Sequence, residues 1–170
     1  MKLVGRAWVF GDGIDTDVLA PGRYMSLSPR ELADHCLEAV RADFASNVET
    51  GDIILAGENF GIGSSREQAV ESLKILGISA VVAKSFGGIF QRNAFNLGLM
   101  CLSCPTLDCS DLHEFDPVEL HMKAGVLHAG EHSWDCEKLP EFLRIMIADG
   151  GLIAHLNLSL IHISEPTRPY

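Results

Sequence analysis

Between residues 51 and 102, three short apolar runs alternate with two helix-patterned segments, and this alternation constrains the fold more than any other feature. Residues 51–56 (GDIILA) read as a buried strand. A helix is expected from about 65 to 76, with Ala69, Val70 and Leu73 inward and Gly77 as its stop. Residues 78–83 read as a second strand, 85–96 as a helix and 97–102 as a third strand. Strands that alternate with helices in this way point to an α/β fold.

The flanking segments fit one domain of ordinary size. Residues 3–10 read as a strand, ended by Gly11-Asp12-Gly13. The acids of Asp15-Thr16-Asp17 suggest a loop held by local side-chain hydrogen bonds. Ser28-Pro29-Arg30-Glu31 carries a capping box with proline at the first helical position, and Leu32, Cys36, Leu37 and Val40 give the expected helix an apolar stripe. After Cys109 the pattern becomes irregular, with β-like runs at 118–122 and 125–128. A helix over 140–148, stopped by Gly150-Gly151, is expected to bury Phe142, Leu143, Ile145 and Met146. The domain is read as residues 1–157. Residues 158–170 (LSLIHISEPTRPY) do not continue this pattern; they read as non-native sequence and are left out of the fold reasoning, with a native tail as the alternative.

Hydrophobic residues make up 47% of the 170 and charged residues 21%, which favours a folded chain. A net charge of -10 argues against a nucleic-acid binder, which needs clustered Lys and Arg. No apolar run approaches the roughly 18 residues that span a membrane, and no signal-peptide pattern opens the chain. The expectation is a cytoplasmic protein that binds neither nucleic acid nor membrane. Five cysteines without framework spacing fit reduced thiols.

The segment richest in chemistry is GENFGIGSSREQA, residues 57–69. Gly61 and Gly63 let the backbone turn sharply and approach a ligand. Ser64, Ser65 and Arg66 follow where a helix begins, and Ser64 with Glu67 spells a second capping box. An anion there would meet free N–H groups, two hydroxyls and a guanidinium fork. A carboxylate fits, and so does a phosphate. The P-loop spacing with its lysine is absent, as is the dinucleotide fingerprint. A well-capped helix start with no ligand remains the alternative.

These residues, with GDGIDTDVLAPGRY at 11–24, AVVAKSFGGIFQRNAFNLGL at 80–99 and PEFLRIMIADGGLIAHL at 140–156, resemble the small subunits of 3-isopropylmalate dehydratase and homoaconitase. Those subunits match the mobile last domain of aconitase. The resemblance implies a single swivelling β/β/α domain. It also implies a hydro-lyase, active only with a large iron–sulfur subunit in a heterodimer or heterotetramer. The reaction would shift a hydroxyl between adjacent carbons of a small carboxylic acid by dehydration and rehydration. A [4Fe-4S] cluster, held by the large subunit and not by this chain, would act on the hydroxyl as a Lewis acid.

By the same resemblance, Ser64 is the base, as an alkoxide, and Asp17 is an active-site aspartate supporting it. A serine needs strong positive potential to act in this way. Ser65 and Arg66 are substrate-carboxylate contacts, and Asp15 is read as structural. Substrate choice is linked to Tyr24-Met25-Ser26-Leu27. Homoaconitase-type relatives place an arginine where Ser26 stands, so an extra carboxylate loses its charged partner, and Leu27 adds apolar surface. The favoured substrate is 3-isopropylmalate, converted to 2-isopropylmalate in leucine biosynthesis. Related acids (2,3-dimethylmalate, citramalate, homoaconitate) stay open. Gln68 and Gly88 stand where many relatives carry His and Arg.

Two readings from other classes compete. One is a free-standing anion-binding module. The other is a metal centre on Cys101, Cys104 and Cys109, though Cys101-x-x-Cys104 lies at the end of an apolar strand with no second ligand pair at metal spacing. His113, His121, His128 and His132 are read as scattered surface or structural residues. Arg92-Asn93 either face a partner or the cleft, or lie on a helix surface.

Overall fold

One long strand, β1 (Lys2–Val9), is shared by two half-sheets of opposite sense. Its first half pairs antiparallel with β5 (Pro117–His121), from Lys2 opposite His121 to Arg6 opposite Pro117. Its second half pairs parallel with β2 (Ile53–Ala56), Ala7 opposite Ile53 and Val9 opposite Leu55. At the changeover, Gly5 lies directly against the carbonyl of Gly51, where any Cβ would collide.

The computed structural model describes residues 1–164. On the parallel side, β3 (Ala80–Ala83) and β4 (Met100–Ser103) follow β2. On the antiparallel side, β6 (Val126–Ala129) and β7 (His132–Asp135) follow β5. The order is therefore β4-β3-β2-β1-β5-β6-β7. Every residue of β2 and β3 is buried, as expected of strands covered on both faces.

Alternation along these strands feeds two cores. On one face Ile54, Ala56, Val81, Ala83 and Cys101 join Trp8, Phe44, Phe60, Val70, Leu73 and Phe90. This layer includes residues of α4 (Glu67–Ile75) and α5 (Gly88–Leu97). On the other face Ile53, Leu55, Ala80, Val82 and Leu102 pack with Val118, Leu120 and Leu127. The antiparallel half thus folds back over the parallel half. The layers are strand, strand, helix, which is the β/β/α arrangement the resemblance implied. The two outer edges meet, for Glu137 N–H donates to the Ser103 carbonyl at 2.7 Å.

Four short helices complete the elements before β2 and after β7. These are α1 (Thr16–Leu19), α2 (Pro29–Ala33), α3 (Phe44–Asn47) and α6 (Glu141–Ala148). The capping box of Ser28 and Glu31 is present. The helix it starts is shorter than the apolar stripe suggested: it ends at Ala33, Leu37 takes a positive φ of 62°, and Val40 is exposed. In α6 the expected buried stripe is also corrected. Met146 and Ile147 are buried, while Phe142 and Ile145 are exposed. Strand β7, too polar to be noticed as HSWD, forms by pairing along β6.

A last helix, α7 (Leu152–Ser164), runs through position 157 without a break, so the expected tail enters as helix. Residues 165–170 of that tail lie outside the described residues. Ile153, Leu156, Leu160 and Ile161 are exposed. Among the described residues no single helix is long and apolar enough to cross a membrane; α6 and α7 together reach that composition but meet at a 90° bend.

One buried charge lies at the sheet's centre. Asp52 Oδ2 accepts from Trp8 Nε1, Arg6 Nη2 and the Glu49 N–H, each at 2.8 Å, and Oδ1 accepts from Arg6 Nε at 3.0 Å. Burial raises its pKa, but these donors outweigh burial and hold the carboxyl below its ordinary value. Trp8 packs edge-on against Phe44 and Phe115 at 4.9 and 5.0 Å.

Candidate active site

The loop between β2 and α4 holds three left-handed residues close together. These are Asn59 at φ 60°, Gly61 at 78° and Gly63 at 110°. Gly61 is pinned by its surroundings: its N–H donates to the Ile14 carbonyl at 2.6 Å, and a Cβ would enter the Phe90 ring. Beyond it, Ile62 forms a parallel bridge with Asp15, and Thr16 N–H donates to the Ile62 carbonyl at 2.9 Å. On the loop's other side Phe60 bridges to Phe86. The glycine-rich loop therefore runs alongside the D-T-D segment, far from it in sequence, and delivers Ser64 and Arg66 to Thr16 and Asp17.

Five interactions define the site. Ser64 Oγ lies 3.2 Å from Thr16 Oγ1. Arg66 Nη1 donates to Asp17 Oδ1 at 2.8 Å and to the Ala20 carbonyl at 3.0 Å. Asp17 Oδ1 also accepts from the Gly22 N–H at 3.0 Å. The Ser65 carbonyl accepts from Asn93 Nδ2 at 3.3 Å, which ties the loop to α5 and gives Asn93 a role on this side of the helix.

Arg66 lowers the Asp17 pKa, with the Gly22 N–H adding to the effect. Asp17 therefore stays a carboxylate, and Arg66 keeps one nitrogen engaged. Arg66 Nη2 and Nε make no hydrogen bond among the described residues, so part of the fork is free for an incoming anion. The second capping box is absent. α4 starts at Glu67 with Arg66 as its N-cap, and no side chain caps it. The first-turn N–H groups are left without the serine that the sequence pattern offered them, beside two exposed hydroxyls. Asp15 is structural, since it accepts from Val18 N–H at 2.8 Å and caps α1.

Ser26 and Leu27 lie exposed between the 3-10 turn Gly22–Tyr24 and α2. Leu27 N–H donates to the Tyr24 carbonyl at 3.0 Å. Neither residue makes a hydrogen bond to the Ser64–Arg66 loop among the described residues. The link is through the chain: the Gly22 N–H held by Asp17 opens the turn that leads to them. A cleft of about 340 Å³ lies here, lined by Asp17, Val18, Pro21, Gly22, Arg23 and Glu38 among others. A larger one, about 640 Å³, lies by Met1, Lys2, His121 and Lys123. It is remote in the fold from Ser64 and holds no Ser, Asp or Arg, whereas the smaller cleft is lined by Asp17 of the site, though not by Ser64, Ser65 or Arg66.

The cysteines do not fit a metal centre. Cys101 packs in one core and Cys104 in the other, on opposite faces of the sheet. Among the described residues no three His, Cys, Asp or Glu side chains converge as a ligand set. Among the described residues the cysteines do not converge as ligands of an iron–sulfur cluster either.

Residues 24–107 match the aconitase C-terminal domain family. The 3-isopropylmalate dehydratase small subunit of Halothermothrix orenii is 46% identical over 166 residues, covering 95% of this chain and 99% of that protein. The chain belongs to the 3-isopropylmalate dehydratase small-subunit family. The 2,3-dimethylmalate dehydratase small subunit of Eubacterium barkeri is similar to the chain as well, 45% identical over 92% of this chain and 98% of its own. A solved 3-isopropylmalate dehydratase from Methanocaldococcus jannaschii superposes with a TM-score of 0.87 at 40% identity, covering 96% of this chain and 98% of that one. The small-subunit names of this family fit a chain without a cluster of its own, and they imply a large-subunit partner.

Sequence reasoning had marked Ser64, Ser65, Arg66 and Asp17, and the fold brings these together. It gives Thr16 no role of its own. The signal available was a hydroxyl between two acids, in a segment whose neighbours Ile14 and Leu19 are core residues.

Proposed function

We propose that this chain is the small subunit of a hydro-lyase that isomerises an alkyl-substituted malate, 3-isopropylmalate to 2-isopropylmalate in leucine biosynthesis, and is active only with its large subunit. The observation that carries the reading is Arg66, held by Asp17 and the Ala20 carbonyl beside Ser64 at the uncapped start of α4. The free part of the Arg66 fork and the Ser65 hydroxyl bind a substrate carboxylate. Ser64, as an alkoxide, takes the proton from the carbon next to the one bearing the hydroxyl. The carbon–carbon double bond forms as hydroxide departs. In rehydration hydroxide adds to the carbon that lost the proton, and Ser64 gives that proton to the carbon that lost the hydroxide. The [4Fe-4S] cluster is assigned to the large subunit. The same reading assigns the protein to the cytoplasm and to a heterodimer or heterotetramer.

Ser26 and Leu27 present a hydroxyl and an apolar side chain where an additional carboxylate would need a cation, which favours an alkyl substituent. A second substrate, 2,3-dimethylmalate, is supported by the Eubacterium barkeri relative. The test is coexpression with the large subunit, anaerobic cluster reconstitution and absorbance of the unsaturated acid. The substrates are 3-isopropylmalate, 2,3-dimethylmalate, citramalate and homocitrate. Turnover of an alkyl malate only with both chains present is expected. Turnover of homocitrate would discard the specificity argument. No turnover with any acid, despite a stable complex, would overturn the catalytic reading.

A further inference from the structure

We propose that Thr16 is a positioning residue for Ser64, donating its hydroxyl hydrogen to Ser64 Oγ and so easing that serine's loss of its proton. The inference rests on the reading of Ser64 as the base.

Thr16 is 2% exposed, one of the few buried polar residues among the described residues. Its hydroxyl makes one hydrogen bond among the described residues, the 3.2 Å contact with Ser64 Oγ. Its own position is fixed. The N–H donates to Ile62, the carbonyl accepts from Ala20 N–H at 2.9 Å, and the branched side chain is stiff about χ1. Ser64, by contrast, is exposed on a loop. Its hydroxyl is not spent where the sequence suggested, because α4 has no side-chain cap. Gly63 keeps the contact open: a Cβ there would stand 3.0 Å from Thr16 Oγ1.

The chemistry follows from the inventory of donors. Two neutral hydroxyls can bond in either direction. A serine that has lost its proton can only accept, so Thr16 must then donate. A hydrogen bond to a charged oxygen is roughly twice as strong as one between neutral groups, which favours the ionised serine. A buried, rigid donor does this without reorganising when the proton moves.

The test uses the reconstituted two-subunit enzyme. Thr16→Val removes the hydroxyl at nearly constant shape, Thr16→Ala removes it without crowding Ser64, and Thr16→Ser keeps it. Both deletions should lower kcat about 10- to 100-fold with KM changed by less than about 2-fold, and should move the rising limb of the kcat–pH profile to higher pH. Thr16→Ser should recover most of the loss and the original limb. Unchanged kcat and limb in both deletion variants would overturn the proposal. Equal impairment of all three would also overturn it, since packing alone would then explain the effect. Ser64→Ala separates the two levels. If it retains turnover, the base assignment itself fails. If it abolishes turnover while both deletions are silent, only the Thr16 inference fails.

Discussion

Asp17 and Arg66, separated by almost fifty residues, meet through one oxygen: Oδ1 accepts from Arg66 Nη1 at 2.8 Å while also holding the Gly22 N–H. The carboxylate thus fixes an arginine on one side and the start of a turn on the other. Asp17→Asn keeps the shape and removes the charge. We expect KM to rise about 10-fold, the size of one charged hydrogen bond, with a smaller fall in kcat. Because Asp17 is 68% exposed, the unfolding midpoint should hardly move. Steady-state kinetics with thermal denaturation checks both halves.

The turn that begins at Gly22 carries the specificity argument. Ser26→Arg restores a cation at that place. The expected result is a roughly 10-fold loss of kcat/KM for 3-isopropylmalate, with gain of turnover on an acid bearing a further carboxylate. Competition assays with mixed substrates read the ratio directly.

Gly61 is a glycine whose replacement should be costly. Alanine there meets both a positive φ and the Phe90 ring. A destabilisation of about 2–4 kcal/mol is expected from the backbone and the crowding together. Urea denaturation of the isolated small subunit measures it.

The Asp52 carboxyl links stability to acidity. Its pKa is lowered in the folded protein, so its contribution is fully present above the unfolded value of about 3.9 and is lost as pH falls through the folded value. Asp52→Asn should cost about 2–3 kcal/mol at pH 7 and flatten the pH dependence of the urea midpoint below pH 4. A variant whose acid dependence matches the parent would show that another carboxylate controls it.

Thiol labelling reports the core on the helix-covered face of the sheet, which holds Cys36 and Cys101. Cys36 and Cys101 are fully buried and their pKa values are raised by burial. Cys109 is partly exposed, with burial pushing its thiol up to about 11. At pH 8, iodoacetamide should modify Cys109 slowly and leave Cys36 and Cys101 untouched until the protein unfolds. Peptide mass spectrometry distinguishes these sites.

Much of this was legible in the residues because local and global signals agreed. β2, α4, β3, α5 and β4 appear where apolar runs and glycine stops placed them, and Ser28 caps α2 as its motif predicts. Failures came where a long-range partner overrode a local pattern. Ser64 and Glu67 spell a capping box, but Ser64 is drawn to Thr16, a residue nearly fifty positions away. The stripe after Leu32 looks helical, yet Leu37 turns into the left-handed region, where its N–H donates to the Val18 carbonyl at 3.0 Å. Strand β7 is polar and exists only because β6 offers an edge. In the site, Ser64 to Arg66 were visible as a motif. The pairing with Asp17 was visible only through resemblance, because no spacing rule connects positions 17 and 66.

The shared strand β1 also sets the order in which the molecule can be made. It leaves the ribosome well before its antiparallel partner β5, which follows by more than a hundred residues. Until that partner emerges, one edge of the nascent parallel half lies open. Such non-local pairing slows folding and leaves an unpaired edge exposed to other chains. Joining the two halves is therefore a late event in synthesis, and a chain stopped before residue 117 would keep α1 to α5 and the parallel strands but lack α6, α7 and the antiparallel cover for half its core.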